Sequence, residues 1–212
     1  ALGYAGQYII VVPEKDMVMV FTSDLGENVG VPRTLVNNFI VPAAESSIPL
    51  PANPDGVARL QTLIQEASRQ PDVTPQPVPS PPVIAEQVLG ETYILEKNVL
   101  GWESFSLAVQ EGDEALLRLD WDKTGPGPFT EAEFKLGLDG VQRQGTGPFG
   151  MPTVCMGRWE GENVFIAEVD AIGNLFNLRL ELIFADDEVT GNILILNFSD
   201  TFVIEGKRAG SL

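Results

Sequence analysis

Few side chains in this 212-residue sequence can do chemistry on their own, and the missing types narrow the field first. There is no histidine, so a Ser-His-Asp triad, a Cys-His pair and a His-ligated metal are all excluded within the chain. The single cysteine, Cys155, lies in the apolar run Thr153-Val154-Cys155-Met156 and reads as a buried packing thiol; one cysteine also excludes an intrachain disulfide. Asp120 and Asp122 in "DWDKTGPGP" are of the type that binds calcium, but the spacing of a calcium loop is missing, so they read as solvated turn acids. No metal or other cofactor is implied. Two groups remain. Gly3-Tyr4-Ala5-Gly6-Gln7 is glycine-rich, and its glycines allow close strand packing. Trp102, Trp121, Trp159 and the phenylalanines could enclose an apolar ligand or fill a core.

Charge limits the partners. Thirteen Lys and Arg face 30 Asp and Glu, a net charge of −17, which repels phosphate backbones and anionic lipid and argues against nucleic-acid binding. Residues 1–85 carry 8 acids and 4 bases (−4), leaving 22 acids and 9 bases (−13) for residues 86–212. No apolar run approaches the roughly 20 residues of a membrane-spanning helix.

The elements that would position these residues fall into two parts. Tyr8–Val12 and Met17–Thr22 are β-branched, apolar runs around Pro13-Glu14-Lys15-Asp16, the pattern of a hairpin. Leu35, Val36, Phe39 and Ile40 share one helical face after Pro32; Asn53-Pro54 caps a second amphipathic helix carrying Val57, Leu60, Ile64 and Ala67. Prolines 71, 75, 77, 79, 81 and 82 then mark a semi-rigid linker. Beyond it the period becomes two, as in Phe105, Leu107, Val109 and in Phe176, Leu178, Leu180, Leu182, Phe184, with further strands at 91–97, 117–121, 131–138, 152–159, 163–169, 188–197 and 201–208. Eight or nine short strands without intervening helices indicate a sandwich or a closed antiparallel barrel. The barrel is preferred because closure removes sticky edges.

The opening "GYAGQYIIVVPEKDMVMVFTS" resembles the last hairpin of the penicillin-recognising serine hydrolases, the class C β-lactamase, esterase and D-aminopeptidase group, and "LVNNFIVPAA" and "LPANPDGVARLQTLIQEA" resemble its terminal helix and extension. Leu89 to Arg208, with "LGLDG" and "GRWEGENVFIAEVDAIG", resembles the lipocalin-like barrel that several members append. The resemblance implies a mainly β chain: residues 1–69 a truncated α/β hydrolase remnant of hairpin plus two helices, 70–85 a Pro-rich linker, and 86–212 a lipocalin-like antiparallel barrel of about eight strands. It also implies that the parent hydrolyses amides or esters and that Gly3, Tyr4, Ala5, Gly6 and Gln7 form the oxyanion and substrate strand, with a backbone N–H near Tyr4 as donor. No Ser-x-x-Lys occurs, so the chain carries no catalytic residue and should be inactive alone. A literal Lys123-Thr124-Gly125 is enclosed by Gly and Pro and reads as a loop.

Two functions follow as expectations. One is the C-terminal portion of an exported bacterial serine hydrolase, partnered by the rest of its hydrolase domain or by a second copy through the N-terminal hairpin. The other is a free-standing barrel that binds a small apolar ligand.

Overall fold

A computed structural model describes all residues except Asp24, Glu27, Ser47, Gln70, Pro71, Glu111, 123–130, 148–149, 173–176, 197–199 and Leu212. The expected Lys123-Thr124-Gly125 loop and the turn at Gly173-Asn174 lie outside the described residues. The chain forms two compact units, Ala1–Val73 and Thr74–Leu212, divided inside the proline-rich stretch.

In the first unit, β1 (Tyr8–Val12) and β2 (Met17–Phe21) pair antiparallel from Tyr8↔Phe21 to Val12↔Met17, around a turn in which Asp16 takes the left-handed conformation. One face of the hairpin packs inward: Tyr8 and Met19 are buried with Ala5 and Val36, and the Tyr8 hydroxyl donates to Val29 O at 2.6 Å. The other face leaves Ile9, Val11, Val18 and Val20 exposed. The first expected helix appears as α1 (Val31–Leu35), a π turn (Val36–Ile40) and α2 (Val41–Ala43). The second is α3 (Pro54–Ala67), whose Asn53 side chain accepts from Gly56 N–H at 2.9 Å as the N-cap. No described helix is long and apolar enough to cross a membrane.

The second unit is a closed β-barrel. After a short helix α4 (Ala85–Val88) come β3 (Thr92–Leu95), β4 (Trp102–Val109), β5 (Glu114–Trp121), β6 (Glu131–Gly137), β7 (Arg143–Thr146), β8 (Pro152–Glu160), β9 (Val164–Ala171), β10 (Asn177–Ala185), β11 (Glu188–Ile195) and β12 (Asp200–Arg208). Each strand pairs antiparallel with its sequence neighbour through β6 and again from β7 onward, and β12 returns to pair with β3 through Gly206↔Leu95 and Arg208↔Tyr93. The ring closes where β6 meets β8 in parallel at Gly137↔Met156, with β7 folded alongside β8.

Strand alternation fills the interior. Phe105, Leu107, Leu117, Leu119, Phe134, Leu136, Phe165, Ala167, Leu178, Leu180, Leu182, Phe184, Val189, Ile193 and Ile204 belong to one contiguous buried cluster, while Arg118, Glu133, Glu168 and Arg179 face outward. The outer ion pairs, among them Arg118 with Glu133 and Lys207 with Glu188 at 2.8 Å, are exposed and screened by solvent, so they add little to stability.

The seam between β6 and β8 depends on two residues. At Gly137 the chain doubles back so tightly that a Cβ would lie 1.7 Å from Val141 O. Arg143 crosses this reversal, donating to Val141 O at 2.7 Å and pairing with Asp113 at 3.0 Å, Asp139 at 3.1 Å and Glu114 at 3.6 Å. Asp139 is 5 % exposed, and its hydrogen bond to Arg143 holds its carboxyl below the usual carboxylate range.

From Thr74 on, the proline run belongs to the barrel unit and crosses one end of it. Gln76 N–H donates to Asp139 O at 2.8 Å, Val78, Pro79 and Pro81 face Leu138 and Trp159, and Ala85 and Val88 are buried. This strap covers the end that also carries the β4–β5, β8–β9 and β10–β11 turns.

Gly137→Ala is expected to destabilise the barrel by ~3 kcal/mol or more in urea denaturation, because its Cβ meets backbone that cannot step aside. The Asp139 carboxylate contributes stability that is fully present above the unfolded-state value near 4 and is lost as pH falls through its lowered native value. Asp139→Asn should remove that part of the acid dependence, measured as the difference in unfolding free energy between pH 6 and pH 3.

Candidate functional site

The Gly3–Gln7 segment is not the strand expected from the sequence. Tyr4–Gly6 is a single 3-10 turn, with Ala5 at φ 55° and Gly6 at φ 85°, both left-handed. Several of its polar groups are bonded locally: Gly3 N–H donates to Gln7 O at 2.7 Å, and the Ser23 hydroxyl donates to Ala5 O at 3.1 Å and Gly6 O at 2.7 Å. Leu25 N–H also donates to Ala5 O, and the Gln7 amide reaches Ser23 O. A 3-10 turn thus stands over Tyr4–Gly6 where an extended strand was expected.

The interior of the barrel is the remaining candidate, and its lining is graded from end to end. In the strap half the large rings gather. Tyr93 stacks on Phe105 with ring centres 5.2 Å apart, Phe184 lies 5.4 Å from Tyr93, and Trp159 sits 5.2 Å from Phe165 and 6.0 Å from Phe184. In the opposite half the inward residues are mostly smaller or aliphatic, Ala132, Thr153, Ala171, Val169, Leu119, Leu178 and Ile193, with Phe202 beside Ile193 packed against them. At that far end Trp102 and Trp121, directly paired across β4 and β5, meet edge to face at 5.9 Å. The three tryptophans therefore do not converge, since Trp159 lies at the strap end and the other two at the opposite end.

Local chemistry fixes the Trp102 corner. Asn98 in the β3–β4 connection accepts from Leu100 N–H at 3.2 Å and Trp102 N–H at 3.1 Å and donates to Trp102 O at 2.8 Å. A register shift between Trp102 and Ser104 turns the Trp102 side chain inward, so that Ser104 and Asp120 share the outer face, where the hydroxyl donates to the carboxylate at 2.6 Å. Asp120 is thus engaged outside the barrel. Among the described residues, no group of three or more His, Cys, Asp or Glu is placed to hold a metal ion.

Three polar side chains reach the apolar interior. The Tyr93 hydroxyl has no hydrogen-bond partner, and burial pushes its phenol above the ordinary value, with Arg208 opposing and Asp187 and Glu91 adding to the rise. Thr153, 1 % exposed, has no conventional partner for its hydroxyl; its polar neighbour is the Cys155 thiol two residues along the same face. Burial pushes that thiol up to about 11. Buried hydroxyls without partners cost about 1–3 kcal/mol each, so their presence calls for a reason. Cys155 had been singled out by sequence; Tyr93 and Thr153 had not, because nothing in a strand pattern distinguishes a satisfied hydroxyl from an orphan.

No family model matches the chain, and no curated protein does. Similar solved structures are β-barrels. Fatty-acid-binding protein 1 of Echinococcus granulosus is 16% identical with a TM-score of 0.43, covering 59% of this chain and 99% of its own. The fatty-acid-binding protein of Manduca sexta is 16% identical at a TM-score of 0.41, covering 57% of this chain and 98% of its own. The fluorescent protein UnaG is 14% identical at 0.39, covering 59% and 99%. At such identities and scores the likeness transfers no ligand. The hydrolase, β-lactamase-related and penicillin-binding reading is corrected: no family model supports it, and two of the similar solved structures are fatty-acid-binding proteins.

With its thiol this far from ionisation, Cys155 should not react with a disulfide reagent at pH 8 in the native protein and should react fully once the protein is unfolded in urea.

Proposed function

We propose that the chain is a binding protein whose barrel takes a small, predominantly apolar ligand in the half of its interior away from the strap. The observation that carries this reading is a closed, continuously apolar lining that holds buried hydroxyls without partners. A ligand carrying one hydrogen-bonding group would satisfy Thr153, and its apolar body would lie against Leu119, Val169, Leu178 and Ile193. The smaller side chains of that half favour it over the strap half, where stacked rings already occupy the interior. Trp102 and Trp121 would stand at its mouth and bring an intrinsic fluorescence reporter.

Among the described residues no catalytic group supports a reaction there. A single high-pKa thiol and two neutral hydroxyls cannot act as general base or activated nucleophile without a partner, so the chemistry supported is recognition.

A neutral fluorescent chain alcohol should bind with one-to-one stoichiometry and alter the emission of Trp102 and Trp121. Thr153→Val should weaken the alcohol about 5- to 10-fold, the worth of about one hydrogen bond, and leave the binding of the matching hydrocarbon unchanged. Absence of saturable binding across chains of 6 to about 16 carbons would reject the reading.

A further inference from the structure

Between the proline strap and the barrel lies a cavity of ≈ 100 Å³, bordered by Val78, Pro79 and Pro81 from the strap and by Val109, Leu138 and Trp159 from the barrel, with Gly112 and Arg158 at its edge. It is separate from the interior, because the Trp159 indole and its neighbours Phe165 and Phe184 stand between the two spaces.

A void this size normally closes by side-chain and backbone relaxation. Two features keep this one open. Prolines 75, 77, 79, 81 and 82 fix φ and remove the N–H groups that could draw the strap down onto strand ends. Trp159 is held against Phe165 and Phe184 and is not free to tip into the space. The strap is anchored on each side of the cavity, by Gln76 N–H to Asp139 O at 2.8 Å before it and by buried Ala85 and Val88 after it.

The electrostatics choose the ligand class. Arg158, the charged group at the edge, is already paired with Glu160 at 2.8 Å and Glu168 at 3.0 Å, so an anion would find no free cation there. Among the described residues the other bordering side chains are apolar, apart from the Trp159 indole N–H, a single neutral donor. A cavity of about 150 Å³ with apolar walls stays dry and accepts benzene or xenon. We propose that the space under the strap is a second binding site, for a compact uncharged apolar molecule no larger than about one six-membered ring. Occupancy replaces lost packing with contact to proline rings and indole, and rigid walls spare the site the entropy of ordering itself.

Xenon is the direct probe, read by the indole N–H signals of the three tryptophans. In the full chain, xenon should shift the Trp159 signal with a saturable dependence on pressure, independently of any shift at Trp102 and Trp121, which report on the interior. Val109→Trp, at an exposed strand end, and Val78→Phe, on the strap itself, should each fill the space and abolish the Trp159 shift. The second variant lies outside every strand, so it tests the site even where the first disturbs folding. A Trp159 signal that never shifts, or a shift that survives both fillings, would overturn the proposal. Binding of the chain alcohol near Thr153 is read at the other two tryptophans, so either site can fail without the other.

Discussion

The barrel depends on one tight reversal. Nine strands arranged in a ring bring β6 and β8 side by side in parallel, and parallel neighbours cannot be joined by a simple hairpin. The chain must leave β6, turn and come back as β7 before β8 can take its place. Gly137 makes room for that turn by having no side chain, and Arg143 then holds it against Asp113, Glu114 and Asp139. A buried carboxylate such as Asp139 is tolerated because the guanidinium is beside it; removing Arg143 leaves that carboxylate without its counter-charge, whereas removing Asp139 leaves Arg143 its pairs with Asp113 and Glu114. Much of the closed interior, and hence any site inside it, rests on this clamp.

Closure also explains why the interior is graded. The strap end is sealed by rings from β3, β4, β8, β9 and β10, with α4 beneath them. The far end is walled by smaller residues and a tryptophan pair. Large rings at one end and small side chains at the other make one half a packed core and the other half the place where an apolar guest meets least resistance.

Much of this was legible in the sequence. The two-residue period from Phe105 onward identified nearly every strand of the barrel, and Asn53-Pro54 marked the start of α3, because both signals are local. β7 was not legible: Arg143-Gln144-Gly145-Thr146 has no apolar alternation and is a strand only because β8 lies beside it. The register shift at Trp102 was hidden for a similar reason, as only the partner strand reveals which way an indole turns. The prolines read as a linker, whereas from Thr74 on they belong to the barrel unit, and their contact with Trp159 and Leu138 is tertiary and leaves no trace in composition. Gly3–Gln7 misled most. Its glycines fit a strand that packs closely and a turn that needs left-handed φ equally well, and the Ser23 hydroxyl, sixteen residues beyond Gln7, decides for the turn.

The pairing of β12 with β3 has a consequence for how the molecule comes into being. Residues 206–208 must find residues 93–95, more than a hundred positions earlier, before the ring exists. On a ribosome the hairpins β3–β4 and β5–β6 can form as they emerge, but the free edge of β3 stays uncovered until the last strand is made. Such long-range closure is slow, and an open apolar edge invites pairing with neighbouring chains. The surplus of acids in residues 86–212, −13 in net charge, sets like charge against like wherever two copies approach, which opposes such pairing.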